Sequence, residues 1–238
     1  MAKQIDEEME NEEIIVEKDG SESNSLNFIQ KNSKLIMILS ALVIVIIGAF
    51  VYLKNKSNED AQTASLLITR VLPYYESADY QKALNGDPTK TYMGEPVKGL
   101  KYIVSEFGGT DQGKVAALYV GNILLSTNNY SEAKEYFEKA SNSPSKEIQS
   151  GALAGMAGCL ETDKKHDEAA KLFEEAALLI ADDELQSRYS FYAGLAYEKA
   201  GNKEIAEKTY REIMMKSKLS EFAQLAKAGL VRIGTIIE

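Results

Sequence analysis

The stretch from Leu35 to Leu53 constrains the fold of this chain more than any other feature. Its nineteen residues, LIMILSALVIVIIGAFVYL, include no charged side chain. As an α-helix they would extend about 28 Å, which is close to the thickness of the hydrocarbon core of a bilayer. Lys34 precedes the stretch, and Tyr52 and Lys54 lie at its far end, where they suit the lipid headgroup region. The pattern therefore predicts a single membrane-spanning helix.

Two other structures have a similar apolar run, namely a buried core helix and the central part of a cleaved signal peptide. The run is longer and lies deeper in the chain than in a typical signal peptide, and no clear cleavage site follows it. The direction of a span is set by nearby lysine and arginine residues, which favour the cytoplasmic side. Here the two flanks tie, with three such residues on each side: Lys18, Lys31 and Lys34, then Lys54, Lys56 and Arg70.

The span (35–53) divides the chain into an acidic tail, a helix and a body. Residues 1–34 contain four lysines and nine acidic residues and few apolar side chains, which predicts a disordered tail. The apolar patch Ile14–Val16 could bind a basic partner, although a solvated linker is the simpler interpretation. Residues 54–238 are long enough for one domain with its own core. The net charge of −9 argues against a nucleic-acid partner, and the lone Cys159 excludes an internal disulfide.

Apolar residues recur at helical spacing through the body, which predicts an all-α fold without strands. A first helix carries Ala64 and Val71 on one face and is kinked or ended by Pro73. Residues 80–91 are rich in turn-forming residues and predict a connection. A second amphipathic helix is predicted to include Val97.

A sequence repeat begins near residue 114. Three segments align without a gap, offset by 36 and then 37 residues: Gly121–Ala140, Ala157–Ala176 and Gly194–Ile213. Each has a small residue, an apolar or aromatic residue three positions later, alanine twelve positions later and an aromatic residue sixteen positions later. This series resembles that of the tetratricopeptide repeat family, which implies a solenoid of helical hairpins over about residues 114–216. A last helix, at residues 220–237, is expected to cover the open end of the solenoid.

The repeat residues fall into two packing roles. Small residues such as Gly121 and Ala133 let the two helices of a hairpin approach closely, and the aromatic residue fills the space toward the next hairpin. The predicted packing residues are Gly121, Ala133, Phe137, Ala140, Ala157, Ala169, Phe173, Ala176, Gly194, Ala206 and Tyr210.

Catalytic and metal-binding patterns are weak in this sequence. The stretch Gly108–Lys114 fits the spacing G-x-x-x-x-G-K of a phosphate-binding loop, but Val115 stands where that loop needs serine or threonine. A turn between two helices is the better interpretation. His166 is the only histidine and there is no cysteine cluster, so a transition-metal site cannot be assembled. A nucleophile would need His166 as its base, and nothing in the sequence points to that role. We therefore expect no enzymatic activity, no cofactor and no small-molecule substrate.

Binding to proteins is the remaining expectation. In tetratricopeptide arrays the first helix of each hairpin lines a groove, and the resemblance assigns eight residues to it: Leu118, Tyr119, Asn122, Leu125, Arg188, Phe191, Tyr192 and Leu195. The middle hairpin has small residues there, which leaves room for a peptide or a partner helix. They are Gly151, Ala154, Gly155 and Gly158. The carboxylate clamp of some family members is not expected, because Leu118, Gly155 and Tyr192 replace its polar residues.

The order of acidic tail, span and repeat body resembles the YfgM-type ancillary subunits of the bacterial Sec translocon. The stretches Ala83–Asp87 and Glu106–Thr110 also look like features of that family. The resemblance implies a bacterial inner-membrane protein with a cytoplasmic N-terminus and a periplasmic body. It also implies an adaptor that binds translocon subunits and a membrane-anchored periplasmic chaperone of the prolyl-isomerase type. Two alternatives stay open: a structural envelope scaffold for division or outer-membrane assembly, and an import receptor whose repeats face the cytosol.

Overall fold

The structure, a computed structural model, describes residues 31–216 and 220–235. Residues 1–30 of the predicted tail and the predicted helix end at residue 237 lie outside this description. The chain forms two compact units, with the division between Asn55 and Lys56.

Ten helices and two strands make up the described part of the chain. In chain order they are α1 (Ser33–Glu76), α2 (Tyr80–Asn85), β1 (Gly86–Tyr92), β2 (Glu95–Lys98), α3 (Leu100–Phe107), α4 (Asp111–Ser126), α5 (Tyr130–Ser141), α6 (Lys146–Thr162), α7 (His166–Leu179), α8 (Asp183–Ala200), α9 (Lys203–Lys216) and α10 (Glu221–Arg232). The prediction of an all-α solenoid is confirmed, and the two strands form one short hairpin beside it.

A single helix, α1, replaces the two helices predicted before Pro73. No glycine or proline occurs between Lys54 and Gln62, so no residue of this kind interrupts the helix after the apolar run. Pro73 lies inside α1, and the helix ends soon after it, at Glu76. Pro73 has no backbone N–H to donate to the carbonyl four residues earlier, and its ring crowds that carbonyl, so it weakens the helix just before its end.

The first unit contains the apolar part of α1. Every residue from Ser33 to Asn55 is exposed, so the alternative of a buried core helix does not fit. Mean hydropathy reaches 2.9 over an 18-residue window of α1. Among the described helices, α1 is the one that is long and apolar enough to cross a membrane.

Two antiparallel strands follow α2, so the prediction of a body without strands is wrong in this segment. β1 pairs with β2, and the turn between them contains Met93 and Gly94, both with positive φ. A two-residue turn of this kind matches the twist of paired strands. Pro88 and a register shift between Asp87 and Thr91 interrupt the alternation by which a strand is recognised in a sequence.

The second predicted helix begins later than expected, as α3 at Leu100, and Val97 belongs to β2. Gly99 marks the boundary because the chain passes very close to itself there. A Cβ atom on Gly99 would lie 2.3 Å from the carbonyl oxygen of Leu84, so this position admits only glycine. The backbone of Gly99 is extended, and the helix starts directly after it.

Asp87 joins the β-hairpin to the end of α1. The hydroxyl of Tyr74 donates to Oδ2 of this buried carboxylate at 2.8 Å, and the backbone N–H and hydroxyl of Thr89 donate to Oδ1 at 2.9 and 2.6 Å. Lys82 Nζ lies 3.3 Å from Oδ2. The bonds from Thr89 and Tyr74 hold the pKa of Asp87 well below its usual range, and the bond to Asp87 raises the pKa of Tyr74 to about 12.

Three helical hairpins form the solenoid: α4–α5, α6–α7 and α8–α9. Within each hairpin the two helices pack against each other, and α5 and α7 each pack on the first helix of the next hairpin. All eleven predicted packing residues are buried. The small residues lie where helices come closest, and the aromatic residues fill the gaps between hairpins.

Phe137 shows how tightly the first two hairpins approach. A Cβ atom on Gly121 would lie 2.6 Å from the Phe137 ring, and one on Gly155 would lie 2.4 Å from it. The ring is therefore held between glycines of α4 and α6 and is fully buried. Neither glycine can gain a methyl group unless the ring moves.

Tyr210 makes the same kind of contact with α10. Its ring would lie 2.6 Å from a Cβ atom on Gly194 of α8 and 2.6 Å from one on Gly229 of α10. Its hydroxyl donates to Glu198 Oε2 at 2.9 Å, and Nη2 of Arg232 donates to the same oxygen at 2.7 Å. Thus α10 covers the end of the solenoid and is fixed there by packing and by an ion pair.

The last helix is shorter than predicted. α10 ends at Arg232, and Gly234 follows with a φ of 89°. A left-handed glycine just beyond a helix is a common stop signal. A continuous helix to residue 237 is therefore wrong for the described part of this segment.

We expect Asp87→Asn to lower the free energy of unfolding at pH 7, because a neutral amide accepts these hydrogen bonds less strongly than an anion. A carboxyl group with a lowered folded-state pKa adds stability above its unfolded pKa of about 3.9, and the contribution fades as pH falls toward the folded-state pKa. The difference between wild type and variant should thus stay constant from about pH 7 to pH 5 and shrink below about pH 4.

Urea unfolding of the full chain in detergent measures this difference. Glu95→Gln is the matched control, since Glu95 is an exposed acid of the same hairpin. A difference as large at about pH 2.5 as at pH 7 would contradict the role of the Asp87 carboxylate.

Candidate partner-binding groove

A groove of about 500 Å³ opens between α4, α6 and α8. Its lining residues are Leu118, Asn122 and Leu125 of α4, Glu147, Gly151, Ala154, Gly155 and Gly158 of α6, Phe173 of α7, and Tyr189 and Tyr192 of α8. We name this surface the partner groove. It has a floor of small residues between a leucine wall and an aromatic wall, and its volume suits a few side chains of a bound segment.

The floor of the partner groove is one face of α6. Gly151, Gly155 and Gly158 are spaced by four and three residues, which places them in a row along the helix. A Cβ atom on Gly151 would lie 3.3 Å from a methyl carbon of Leu118, and one on Gly158 would lie 3.3 Å from a methyl carbon of Leu125. The two leucine side chains of α4 thus lie close to these glycines. Because glycine has no side chain, the middle of the groove floor is formed by the backbone of α6.

Tyr192 explains why the groove opens at this hairpin. Gly155 and Gly229 occupy the equivalent positions of α6 and α10, 37 residues before and after it. In both places glycine lets an aromatic ring of the preceding hairpin approach the helix backbone. Tyr192 has a ring of its own, which lies 5.5 Å from that of Phe173 and is part of a side chain that is 39% exposed. The two rings therefore form one wall of the groove, whereas at the equivalent places the aromatic ring packs directly against a helix and leaves no opening.

Few residues that line the partner groove carry polar groups: Asn122, Glu147, Tyr189 and Tyr192. The hydroxyl of Ser145 donates to Glu147 Oε2 at 2.6 Å, and this bond holds the pKa of Glu147 below its usual range. Glu147 also lies in the first turn of α6, where the helix dipole favours an anion. Burial raises the pKa of Tyr189. The groove thus has an apolar floor and a negatively charged end.

The structure brings together four of the eight residues that the sequence assigns to the groove. Those that line it are Leu118, Asn122, Leu125 and Tyr192. Those outside its lining are Tyr119, Arg188, Phe191 and Leu195. Leu195 is half-buried and packs against the core formed by α6 to α10.

The other three residues contact neighbouring helices instead. Tyr119 packs edge-on against Tyr75 of α1, with the ring centroids 4.7 Å apart. The guanidinium of Arg188 lies 5.6 Å from the ring centroid of Phe222 in α10, and Phe191 is buried beside the same ring. Contacts with α1 and α10 therefore engage these three residues of α4 and α8 outside the groove.

Three lining residues escaped the sequence-based assignment to the groove. The repeat pattern assigns Phe173 only to packing and gives no role to Glu147 or Tyr189. Helical spacing could have predicted two of these lining residues, because Glu147 lies four residues before Gly151 and Tyr189 lies three residues before Tyr192. Residues three or four apart share a helix face, so both follow from their neighbours.

His166 has a structural contact. Its Nδ1 lies 2.7 Å from Glu161 Oε1, and Lys199 pairs with the other oxygen of that carboxylate. Burial acts to raise the pKa of Glu161, but the bonds from Lys199 and His166 together lower it. The cluster joins α6, α7 and α8. Within residues 31–216 and 220–235, no group of three histidine, cysteine, aspartate or glutamate side chains could hold a metal ion.

The segment that resembles a phosphate-binding loop is the turn between α3 and α4, as predicted. Thr110 caps α4, and its hydroxyl accepts a hydrogen bond from the backbone N–H of Gly113 at 3.0 Å. That N–H group is therefore already bonded within the turn and does not point into a phosphate cradle.

Comparison with known proteins identifies the repeat. A family model described as a tetratricopeptide repeat-like domain matches residues 27–235, which is most of the chain. No curated protein and no solved structure matches the chain.

We expect Phe137→Ala to lower the free energy of unfolding by about 3–5 kcal/mol, because it leaves a cavity between glycines that cannot fill it. Phe173→Ala should lower the free energy of unfolding clearly less than Phe137→Ala does. Phe173 already borders the partner groove, so its truncation enlarges an open space instead of creating a closed one.

Denaturant unfolding of the two variants tests this difference. Leu178→Ala is the control, since Leu178 is 83% exposed and its truncation should change stability by less than about 0.5 kcal/mol. Equal losses for Phe137→Ala and Phe173→Ala would show that the two rings are packed alike.

Proposed function

Because the chain belongs to the tetratricopeptide repeat-like family, we propose that it is a membrane-tethered adaptor that binds proteins through the partner groove. Repeat arrays of this kind present concave surfaces for protein partners. The observation that supports this use of the groove is its lining, in which a floor of glycines and alanine lies between leucine and aromatic walls. No cofactor, catalytic step or small-molecule substrate enters the proposal.

The occupant of the partner groove is an apolar segment of a partner protein. Aromatic walls bind apolar side chains over a large area, and the hydroxyl groups of Tyr189 and Tyr192 can bond to a backbone. Glu147 favours a segment with a positive charge at one end, since this carboxylate stays ionised. Small floor residues let the bound backbone approach α6 closely, as in recognition of an extended peptide or a helix.

The apolar part of α1 is the anchor. It is long and apolar enough to cross a bilayer, and its side chains are exposed along its whole length. A groove tethered to a membrane meets membrane-bound partners at high effective concentration. Weak contacts in a groove of this size then suffice for selective binding.

The finer proposal is a place beside the Sec translocon of a bacterial inner membrane. The N-terminus would be cytoplasmic and the repeat body periplasmic, where the groove would link translocon subunits to a membrane-anchored chaperone. The order of acidic tail, span and repeats supports this, through the resemblance to translocon-associated proteins. The lysine and arginine residues flanking the span are balanced and do not decide the direction.

Cysteine labelling in intact cells tests the direction. The native Cys159 is buried, and burial raises the pKa of its thiol to about 11, so it should not react with a maleimide. With the outer membrane permeabilised, a membrane-impermeant maleimide should label Lys208→Cys in the body. It should label Ser23→Cys in the tail only after lysis.

Labelling of both variants in lysed cells is the control for accessibility. The reverse pattern, with the tail labelled in intact cells and the body protected, would contradict a periplasmic body. It would favour the receptor whose repeats face the cytosol.

Filling the partner groove tests its role. Ala154→Phe places a ring on the groove floor, and we expect it to reduce the recovery of crosslinked translocon subunits with the protein about tenfold, which corresponds to about 1.4 kcal/mol. Ala181→Phe is the matched control, because Ala181 is exposed and lies outside the groove. Circular dichroism should show equal helicity for both.

The identity of the recovered partners separates the alternatives. Recovery of division or outer-membrane assembly proteins without translocon subunits would contradict the translocon and favour the envelope scaffold. Unchanged recovery with Ala154→Phe would remove the groove from the account.

A further inference from the structure

A second recess, of about 300 Å³, lies between α3, α4 and α5. Three lysines line it, one from each helix: Lys101, Lys114 and Lys139. We name it the basic recess. It has no lining residue in common with the partner groove. In a chain with a net charge of −9, such a grouping of cations is unexpected.

The ammonium groups of the basic recess are only partly neutralised. Lys101 lies 2.7 Å from Glu132, whereas Lys114 lies 3.8 Å from Asp111, at the outer limit of an ion pair. The side chain of Lys114 is only 18% exposed. Lys139 lies 4.7 Å from the ring centroid of Tyr136. The three ammonium groups thus form ion pairs with only two carboxylates, both of which are more exposed than Lys114.

A similar recess recurs two hairpins later, with glutamate at two of the three lysine positions and with Lys216 elsewhere in its lining. A cavity of about 290 Å³ lies between α7, α8 and α9, and its lining includes Glu174, Ser187 and Glu212. Each of these lies 73 residues after a lysine of the basic recess, which equals the sum of the two repeat offsets of 36 and 37. Helix packing therefore forms a recess at this place in the repeat, and the charges of the lining residues can differ. A recess at this place in the repeat thus forms without lysine at the three positions.

We propose that the basic recess binds the side-chain carboxylates of an acidic segment in a protein partner. Charge complementarity selects an anion, and the apolar floor beside Val104 and Ala117 suits the methylene groups of glutamate. The backbone does not offer a phosphate cradle, because the N–H groups of Gly113 and Lys114 already bond to Thr110. Recognition thus depends on ammonium groups from three helices.

This site is independent of the partner groove. The two sites share α4 but no lining residue, and the recess selects for acidic residues, whereas the groove selects for apolar residues. A partner with an acidic segment next to an apolar one would engage both surfaces of the same chain and gain affinity from their linkage.

Binding of a defined peptide to the full chain in neutral detergent tests the proposal. The probe is an end-capped eight-residue peptide with four glutamates and a neutral dye, followed by fluorescence anisotropy at low salt. The peptide in which glutamine replaces glutamate is the reference. Lys101→Glu together with Lys139→Glu should weaken binding of the glutamate peptide at least tenfold, and added salt should weaken binding to the wild type.

The matched control is Lys171→Glu together with Lys227→Glu, which changes the net charge equally at exposed lysines outside the basic recess. This control should bind the peptide within about twofold of the wild type. Ala154→Phe should also leave this binding unchanged, which separates the basic recess from the partner groove.

Three results would overturn the proposal. One is equal loss of binding in the recess and control variants, which would indicate a general effect of charge. Another is equal binding of the glutamate and glutamine peptides. The third is a recess-dependent capture of vesicles containing phosphatidylglycerol without binding of the peptide, which would make the site a lipid headgroup site.

Discussion

The packing of an aromatic ring between two glycines is the contact on which the solenoid depends. Phe137 is held in this way between α4 and α6, and Tyr210 between α8 and α10. In each case glycine has no side chain, which leaves room for the ring to contact the helix backbone. The ring then excludes water from the space between the helices. Because interiors are close-packed, even one added methyl group would force the helices apart.

One junction departs from this rule, and the partner groove lies there. Tyr192 stands where glycine lies in α6 and α10, so Phe173 and Tyr192 form a wall beside the glycine floor of α6. Both glycine positions differ at this junction, where Ala157 and Tyr192 stand, and here the junction is an open surface. The apolar part of α1 gives this surface a location, since a tethered site encounters its partners at high effective concentration.

The sequence predicts the features that arise from local periodicity, such as the apolar span, the three hairpins and the burial of the repeat residues. It misses the β-hairpin because Pro88 and a register shift break the alternation that marks a strand. It places Leu118 and Tyr192 together in the groove, but it cannot tell that Arg188 and Phe191 contact Phe222 of α10 instead. Contacts between helices distant in the sequence decide such cases, and repeat spacing alone does not contain them.

Site-specific photo-crosslinking in intact membranes tests the central claim most directly. A benzophenone amino acid at Asn122 would sit in the partner groove, and one at Lys208 would sit on the exposed face of α9. If the groove receives partner segments, Asn122 should give discrete protein adducts that Ala154→Phe abolishes, and Lys208 should give none of them. Identical adducts from both positions, or adducts that persist when the groove is filled, would contradict the account.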